Sequence, residues 1–270
     1  MKNISDLIRI LRKKTDAPIT ECKKSLIKSN GNIDKAEEIL IIKLGNNAIR
    51  RISNETNESL INIYISKDKK YGSILEVSCE TDFSTRNSIL NELSKKITCL
   101  ASLNNLSNLF EIDKLILRNC NIKNIKDNIS GKICENIKFK RYRNFETENL
   151  LAYYLHNNNK IGVILEFSGN SKIVKYLAMH IAACQPKSIS SKDIPIKYLK
   201  KEKFIAESKV CKLNKSSKIK SKIVENLINK YIKENALIYQ RFIKSENKTV
   251  GDILIEKNIK IKKFILYTSK

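Results

Sequence analysis

The chain repeats itself. Tyr71-Gly72-Ser73-Ile74-Leu75-Glu76-Val77-Ser78 returns as Ile161-Gly162-Val163-Ile164-Leu165-Glu166-Phe167-Ser168, with the shared pattern Gly-x-Ile-Leu-Glu-apolar-Ser. An apolar run and a polar turn precede each copy: Leu60 to Ile65 then Ser66 to Lys70, and Leu150 to Leu155 then His156 to Lys160. Apolar residues at helical spacing follow each one. The pattern predicts two hairpin-then-helix units, each too small to bury a core alone.

The copies part where strand meets helix. The first reads Cys79-Glu80-Thr81-Asp82-Phe83-Ser84 and the second Gly169-Asn170-Ser171. A strand-to-helix turn needs only a capping residue, which Asn170 or Ser171 supplies in the second copy. The first adds an aromatic beside a carboxylate, and that loop is the leading candidate for a working end. Spacing alone favours a plainer role, with Thr81 or Asp82 capping the helix and Phe83 clamping its start. That role does not explain why the second copy manages without the aromatic.

Around these units the pattern predicts an α+β protein. Up to about residue 45, three short helices are expected. Their apolar stripes are Leu7, Ile8 and Leu11, then Cys22, Leu26 and Ile27, then Ile33, Ala36, Leu40 and Leu44. Pro18 suits a first helical position, and Asn32 an N-cap after the Asn30-Gly31 turn. Residues 46–59 read as a linker. The first unit's helix is expected from about Asn87 to Leu103. Helical spacing continues through Leu106, Leu109, Phe110, Leu115 and Ile116, and Ile137 to Phe145 is strand-like. The second unit's helix stops before Pro186. Residues 187–235 are Lys-rich with Ile219, Ile223, Leu227 and Tyr231 at a helical interval, which predicts a projecting helical insertion. A strand from Ala236 to Ile243, a helix from Val250 and a strand near Lys263 to Tyr267 complete the expectation.

No apolar run approaches the roughly 20 residues of a membrane span, and the N-terminus lacks the apolar core of a secretory signal. Seven cysteines without a paired motif fit thiols on apolar faces in a reducing cytoplasm. The formal charge of +24 invites a nucleic-acid reading. Lys is spread over every segment, however, and its excess runs with Ile and Asn, whose codons share an A/T bias. The rival function is accordingly a basic RNA-binding or ribosome-associated protein. No phosphate-binding loop, nucleophile elbow or zinc pattern is present. His156 falls at a turn and reads as solvated, whereas His180, within the helix 172–184, reads as a packed imidazole.

Several motifs, in order along nearly the whole chain, resemble the bacterial elongation factor Ts family of guanine-nucleotide exchange factors. They are Thr15-Asp16-Ala17-Pro18, Cys22-Lys23-Lys24-Ser25-Leu26 and Asn30 to Ala36. Glu76 to Phe83, Gly131 to Ile137 and Ile161-Gly162-Val163 follow. Ala178-Met179-His180-Ile181-Ala182-Ala183 and Lys248-Thr249-Val250-Gly251-Asp252 are the last. The resemblance implies a ubiquitin-associated-like helical module with linker over 1–54 and a core N-subdomain over 55–146. It also implies a core C-subdomain over 147–186 and 236–270, interrupted by a coiled-coil-like insertion over 187–235. It implies elongation factor Tu in its GDP-bound form as partner, a possible dimer of that heterodimer, and a cytoplasmic location. No catalytic residue, cofactor, metal, membrane or required nucleic acid is implied. Thr81, Asp82, Phe83 and Ser84 fall where the family dislodges Mg2+ from the partner. Lys23, Ile133, His156, Ile243 and Lys244 match further family contact positions, which raises the functional reading of His156. The chain departs from the family pattern at Ser84 (usually apolar), Cys134 (commonly Gly) and Arg241 (commonly Pro). It also stops soon after Tyr267, without the C-terminal helical module of some members.

Overall fold

The computed structural model describes residues 4–15, 17–51, 54–170, 172–211, 216–245 and 247–269, with backbone alone over 45–51. Asp16 of the first motif and Ser171, one of the two cap candidates, lie outside the described residues.

Three helices open the chain: α1 (Ile4–Thr15), α2 (Ile19–Lys28) and α3 (Ile33–Arg51). Leu11, Cys22, Leu26, Ala36, Leu40 and Leu44 close on one another as their core. Asn32 Oδ1 accepts from the Lys35 N–H at 3.1 Å, the reach of an N-cap side chain into the first turn. Three expectations are corrected. Ile27 points outward, 56% exposed. Pro18 is the N-cap of α2 and lies outside its first turn, because its ψ of 140° is extended. The expected 46–59 linker shrinks because α3 runs to Arg51. Residues 46–51 contain no proline, and α3 gains tertiary support by packing on the helix Ile122–Ile133.

The first unit follows as β1 (Glu58–Ile65), β2 (Tyr71–Cys79), α4 (Asp82–Arg86) and α5 (Ser88–Leu103). Residues 104–121 are not the continuous helix their spacing suggested. A 3-10 turn at Leu109–Lys114 leads into a two-stranded hairpin of β3 (Ile116–Leu117) and β4 (Cys120–Asn121). The hairpin turns through Arg118 and Asn119, both at positive φ, as a tight two-residue hairpin demands. Phe110, counted in the apolar stripe, is 85% exposed. Then α6 (Ile122–Ile133) and β5 (Lys138–Glu146) complete a sheet of order β1-β2-β5.

The second unit comprises β6 (Leu150–Leu155), β7 (Ile161–Gly169) and α7 (Val174–Cys184). The paired helices α8 (Ile196–Cys211) and α9 (Ser217–Asn235) intervene before α10 (Val250–Glu256) and β8 (Ile259–Thr268), giving the order β6-β7-β8. Asn170 does not cap α7. Its carboxamide accepts from the Lys172 N–H at 3.0 Å in the preceding turn, and the N-cap is Ile173. Nor is 236–243 a strand. A 3-10 turn at Leu237–Tyr239 and two isolated bridges bend it so that Leu237 and Phe242, five positions apart, both reach the core.

Strand alternation explains how the units combine. Leu75 and Val77 face α5, while Ile61 and Ile74 face the other sheet and meet Leu151, Ile164 and Tyr267. On the second sheet Val163, Leu165 and Phe167 face α7. The layers therefore run helix, sheet, sheet, helix, and β2 and β7 are buried on both sides, which is why each reads as a nearly unbroken apolar run. The motif's glycine lets the sheets approach: a Cβ on Gly162 would stand 2.7 Å from Ile61 Cγ2. Both copies also bulge at the same place, between Glu76 and Val77 and between Glu166 and Phe167. Glu76 is fully buried, accepts from Ser59 Oγ at 2.8 Å, and pairs with Arg141 and with Lys140 at 3.3 Å. Glu166 accepts from Thr147 Oγ1 at 2.6 Å and Asn149 Nδ2 at 2.7 Å. A carboxylate this deep is tolerated only when so satisfied. The protein is α+β.

Candidate functional site: the exit of the first repeat

At the end of β2 the chain leaves the sheet through Cys79, whose side chain is buried. Burial, aided by the nearby charge of Glu135, pushes its thiol up to about 12. It stays protonated and is no nucleophile. The other cysteines are mixed in placement: Cys120, Cys134, Cys184 and Cys211 are exposed, which corrects the expectation of thiols on apolar faces.

Two carboxylates then cross between neighbouring segments. Glu80 accepts from the Asn136 N–H at 2.6 Å and from Asn54 Nδ2 at 3.0 Å. Glu135 accepts from the Thr81 N–H at 2.9 Å and the Thr81 hydroxyl at 2.5 Å. Thr81 is the N-cap of α4 by backbone geometry, yet its hydroxyl caps nothing, because Glu135 has taken it. Glu135 is in reach because α6 ends at Cys134 in the left-handed conformation, φ 65°. That is where the family pattern has glycine; a side chain there costs about 1 kcal/mol.

The short helix α4 is fixed at its far end too. Asn91 Nδ2 donates to the carbonyls of Thr85 and Asn87 at 2.7 and 3.0 Å. Asn87 Oδ1 accepts from the Ile89 N–H at 2.9 Å, starting α5 as a separate helix. Because the chain breaks at Asn87, the apolar stripe of α5 does not extend into α4. Ser84 and Thr85 face inward and Phe83 faces water, 79% exposed. The clamp role that spacing favoured for Phe83 is thus overturned. Ser84, at 2% exposure, lies beneath the projection in the free chain. Asp82 is half-buried and pairs with Arg86 at 2.9 Å.

The turn of the second hairpin abuts this helix. The Asn159 carbonyl accepts from the Ile61 N–H at 2.8 Å, Asn159 Nδ2 donates to Asn91 Oδ1 at 3.2 Å, and Lys160 pairs with Glu58. Between turn and helix lies a polar cleft of about 630 Å³ lined by Asp82, Arg86, Asn157 and Asn158 among others. His156 is exposed at the head of the turn, its Nδ1 3.0 Å from the Tyr154 hydroxyl. The fold therefore gathers Thr81, Asp82, Phe83, the half-buried Ile133 and the His156 turn at one end. Lys23 stands exposed on α2, and Ile243 and Lys244 before α10. No hydrogen bond or ion pair among the described residues ties these three to the loop.

His180 is packed, as expected. It is fully buried, donates from Nε2 to Gln240 Oε1 at 3.0 Å and accepts the Ile243 N–H on Nδ1 at 3.3 Å. These partners demand the neutral ring, and burial lowers its pKa from the ordinary 6.5, against the raising effect of Gln240. The unfolded chain gains a proton first on acidification. The contribution of His180 to stability is thus complete above about pH 6.5, drains away as pH falls from there toward the lowered folded value, and is flat below it. Urea denaturation from pH 7.5 to 5.0 is expected to show this loss, and His180→Gln to flatten it.

Glu135, Arg86 and Gln240 escaped sequence reasoning. Nothing in one sequence pairs position 81 with 135, although both lie in motifs noted above. Among the described residues no group of side chains is arranged to hold a metal ion, and no helix is long and apolar enough to cross a membrane.

An exposed aromatic on a short helix held at both ends is the main outward feature of this end of the fold. The family model described as "Elongation factor TS" matches residues 80–269. Relatives named "Elongation factor Ts" are 39% identical in Bordetella petrii and 38% in Bordetella avium, each over 97% of this chain and 89% of the relative. The one from Burkholderia thailandensis is 37% identical over the same shares. The chain belongs to the elongation factor Ts family, and its role is nucleotide exchange in translation elongation.

Proposed function

We propose that the chain binds elongation factor Tu in its GDP-bound form and inserts Thr81, Asp82 and Phe83 beside the partner's Mg2+ site, so that the ion and then GDP leave. The observation that carries this reading is Phe83, 79% exposed on a helix held at both ends. An exchange factor works by binding better to the state that holds nucleotide poorly. Phe83 supplies apolar area for that contact, and Asp82 a carboxylate that competes around a phosphate-bound cation. Coupling is reciprocal, so nucleotide rebinding expels the factor and frees it for another cycle.

Ile133 and His156, at the same end, and Lys23, Ile243 and Lys244, elsewhere, are proposed as secondary contacts. The three-helix core of 1–54 supports a ubiquitin-associated-like module, and the α8–α9 pair supports a coiled-coil-like insertion over 187–235. Residues 55–146, and 147–186 with 236–270, are taken as the two core subdomains. A cytoplasmic location, binding that needs no nucleic acid, and pairing of two heterodimers belong to the same reading. The test is release of fluorescent GDP from elongation factor Tu, with nuclease-treated protein. Acceleration that saturates with added chain is expected. No acceleration, or acceleration lost with the nuclease, defeats the proposal.

A further inference from the structure

We propose that Glu135 is a positioning residue for exchange: by accepting both donors of Thr81, it holds α4 in the orientation that presents Phe83. This rests on the reading of Phe83 given above. The geometry is specific. The two carboxylate oxygens of Glu135 take the Thr81 N–H at 2.9 Å and the Thr81 hydroxyl at 2.5 Å, one oxygen to each donor. The next residue, Asn136, gives its own N–H to Glu80, the residue before Thr81, at 2.6 Å. Consecutive residues leaving β2 and leaving α6 are thereby cross-linked by exchanged carboxylates, and charge-assisted hydrogen bonds of this kind are the stronger ones.

The need for such a brace follows from α4 itself. A helix of five residues has no stability of its own, and Thr81, its N-cap, forms no side-chain cap. Its C-terminal end is tied by Asn91, whereas at its N-terminal end both Thr81 donors are taken by Glu135. The one further side-chain contact of Thr81 among the described residues is the weak bond from Cys79 Sγ to its carbonyl at 3.3 Å. If these are lost, α4 samples orientations in which Phe83 is misdirected. Apparent performance then falls with the fraction of molecules correctly arranged. Encounter with the partner also uses surfaces distant from α4, so the loss falls on the insertion step. Among the described residues, the strand exit of the second repeat, at Gly169 and Asn170, carries no such brace and no aromatic.

The test uses the full chain with Glu135→Ala and Glu135→Gln; the glutamine keeps one acceptor oxygen and exchanges the other for a donor. Amide hydrogen exchange over residues 81–86 of the free protein is expected to quicken about tenfold in Glu135→Ala and less in Glu135→Gln, with thermal stability nearly unchanged. The maximal rate of GDP release from elongation factor Tu is expected to fall about tenfold while the half-saturating concentration moves less than about twofold. If amide exchange over 81–86 is unaltered in both variants, the positioning role is wrong. It is equally wrong if Phe83→Ala slows release and neither Glu135 variant does, an outcome that leaves the Phe83 reading standing. If Phe83→Ala itself leaves release untouched, both fall. Should Glu135→Ala fail to fold, Glu135→Gln decides between the same outcomes.

Discussion

Phe83→Ala is expected to lower the maximal rate of stimulated GDP release by between about tenfold and about a hundredfold while leaving the fold intact. The magnitude comes from the surface at stake. Full burial of a phenylalanine side chain contributes about 1.5–3 kcal/mol, and each 1.4 kcal/mol is a factor of about ten. Phe83 is 79% exposed, so nearly all of that contribution is unspent in the free protein and remains for the partner. The same exposure predicts little change in stability, within about 0.5 kcal/mol, because truncating a side chain in water opens no cavity. A stopped-flow trace with labelled GDP and a thermal melt measure the two quantities on one preparation. Unchanged release with an unchanged melt removes Phe83 from the mechanism. Slowed release with a lowered melt assigns it to the core, against its placement here.

Residue pattern carried much of this architecture and little of the site's orientation. The repeat was legible because strands buried on both faces produce long apolar runs, and here that burial comes from one repeat lying on the other. The connection over 104–121 is not the helix its spacing predicts, because its apolar residues recur at helical intervals for a different reason. Leu106, Leu109, Leu115 and Leu117 pack piecemeal against one face of the first sheet's core, and Phe110 does not pack at all. Segment 236–243 misled similarly, since its buried residues are fixed by tertiary hydrogen bonds such as Val250 N–H to the Gln240 carbonyl at 2.9 Å. At the loop, residue types announced a cap and a clamp. What decides between clamp and projection is where α4 breaks from α5, set by Asn87 and Asn91, and which group takes the Thr81 hydroxyl. That group is 54 positions away, so local pattern is blind to it.

Gly169→Ala is expected to cost the protein about 2–4 kcal/mol, lowering Tm by roughly 5–10 °C. Two penalties coincide at this residue. Its φ of 100° is one that a residue with a Cβ rarely adopts, and that Cβ would stand 2.0 Å from the Asn258 carbonyl oxygen. The obstacle is backbone, so no rotamer change relieves it. The end of β7 must move from the start of β8, breaking the pairing of Gly169 with Ile259. The substitution also probes why the two repeats diverge. Cys79 holds the place in the first copy that Gly169 holds in the second, and it is not among the positive-φ residues. In the second copy the strand end at Gly169 lies against the returning chain at Asn258, which only glycine lets approach so closely. In the first copy the exit is left open and braced from the side by Glu135. A melt of Gly169→Ala within about 1 kcal/mol of the parent would show that the approach is not tight, and this account of the asymmetry would fail. A large loss of stability, with the rate of GDP release per folded molecule preserved, would place Gly169 in the scaffold and leave the exchange function to the open exit alone.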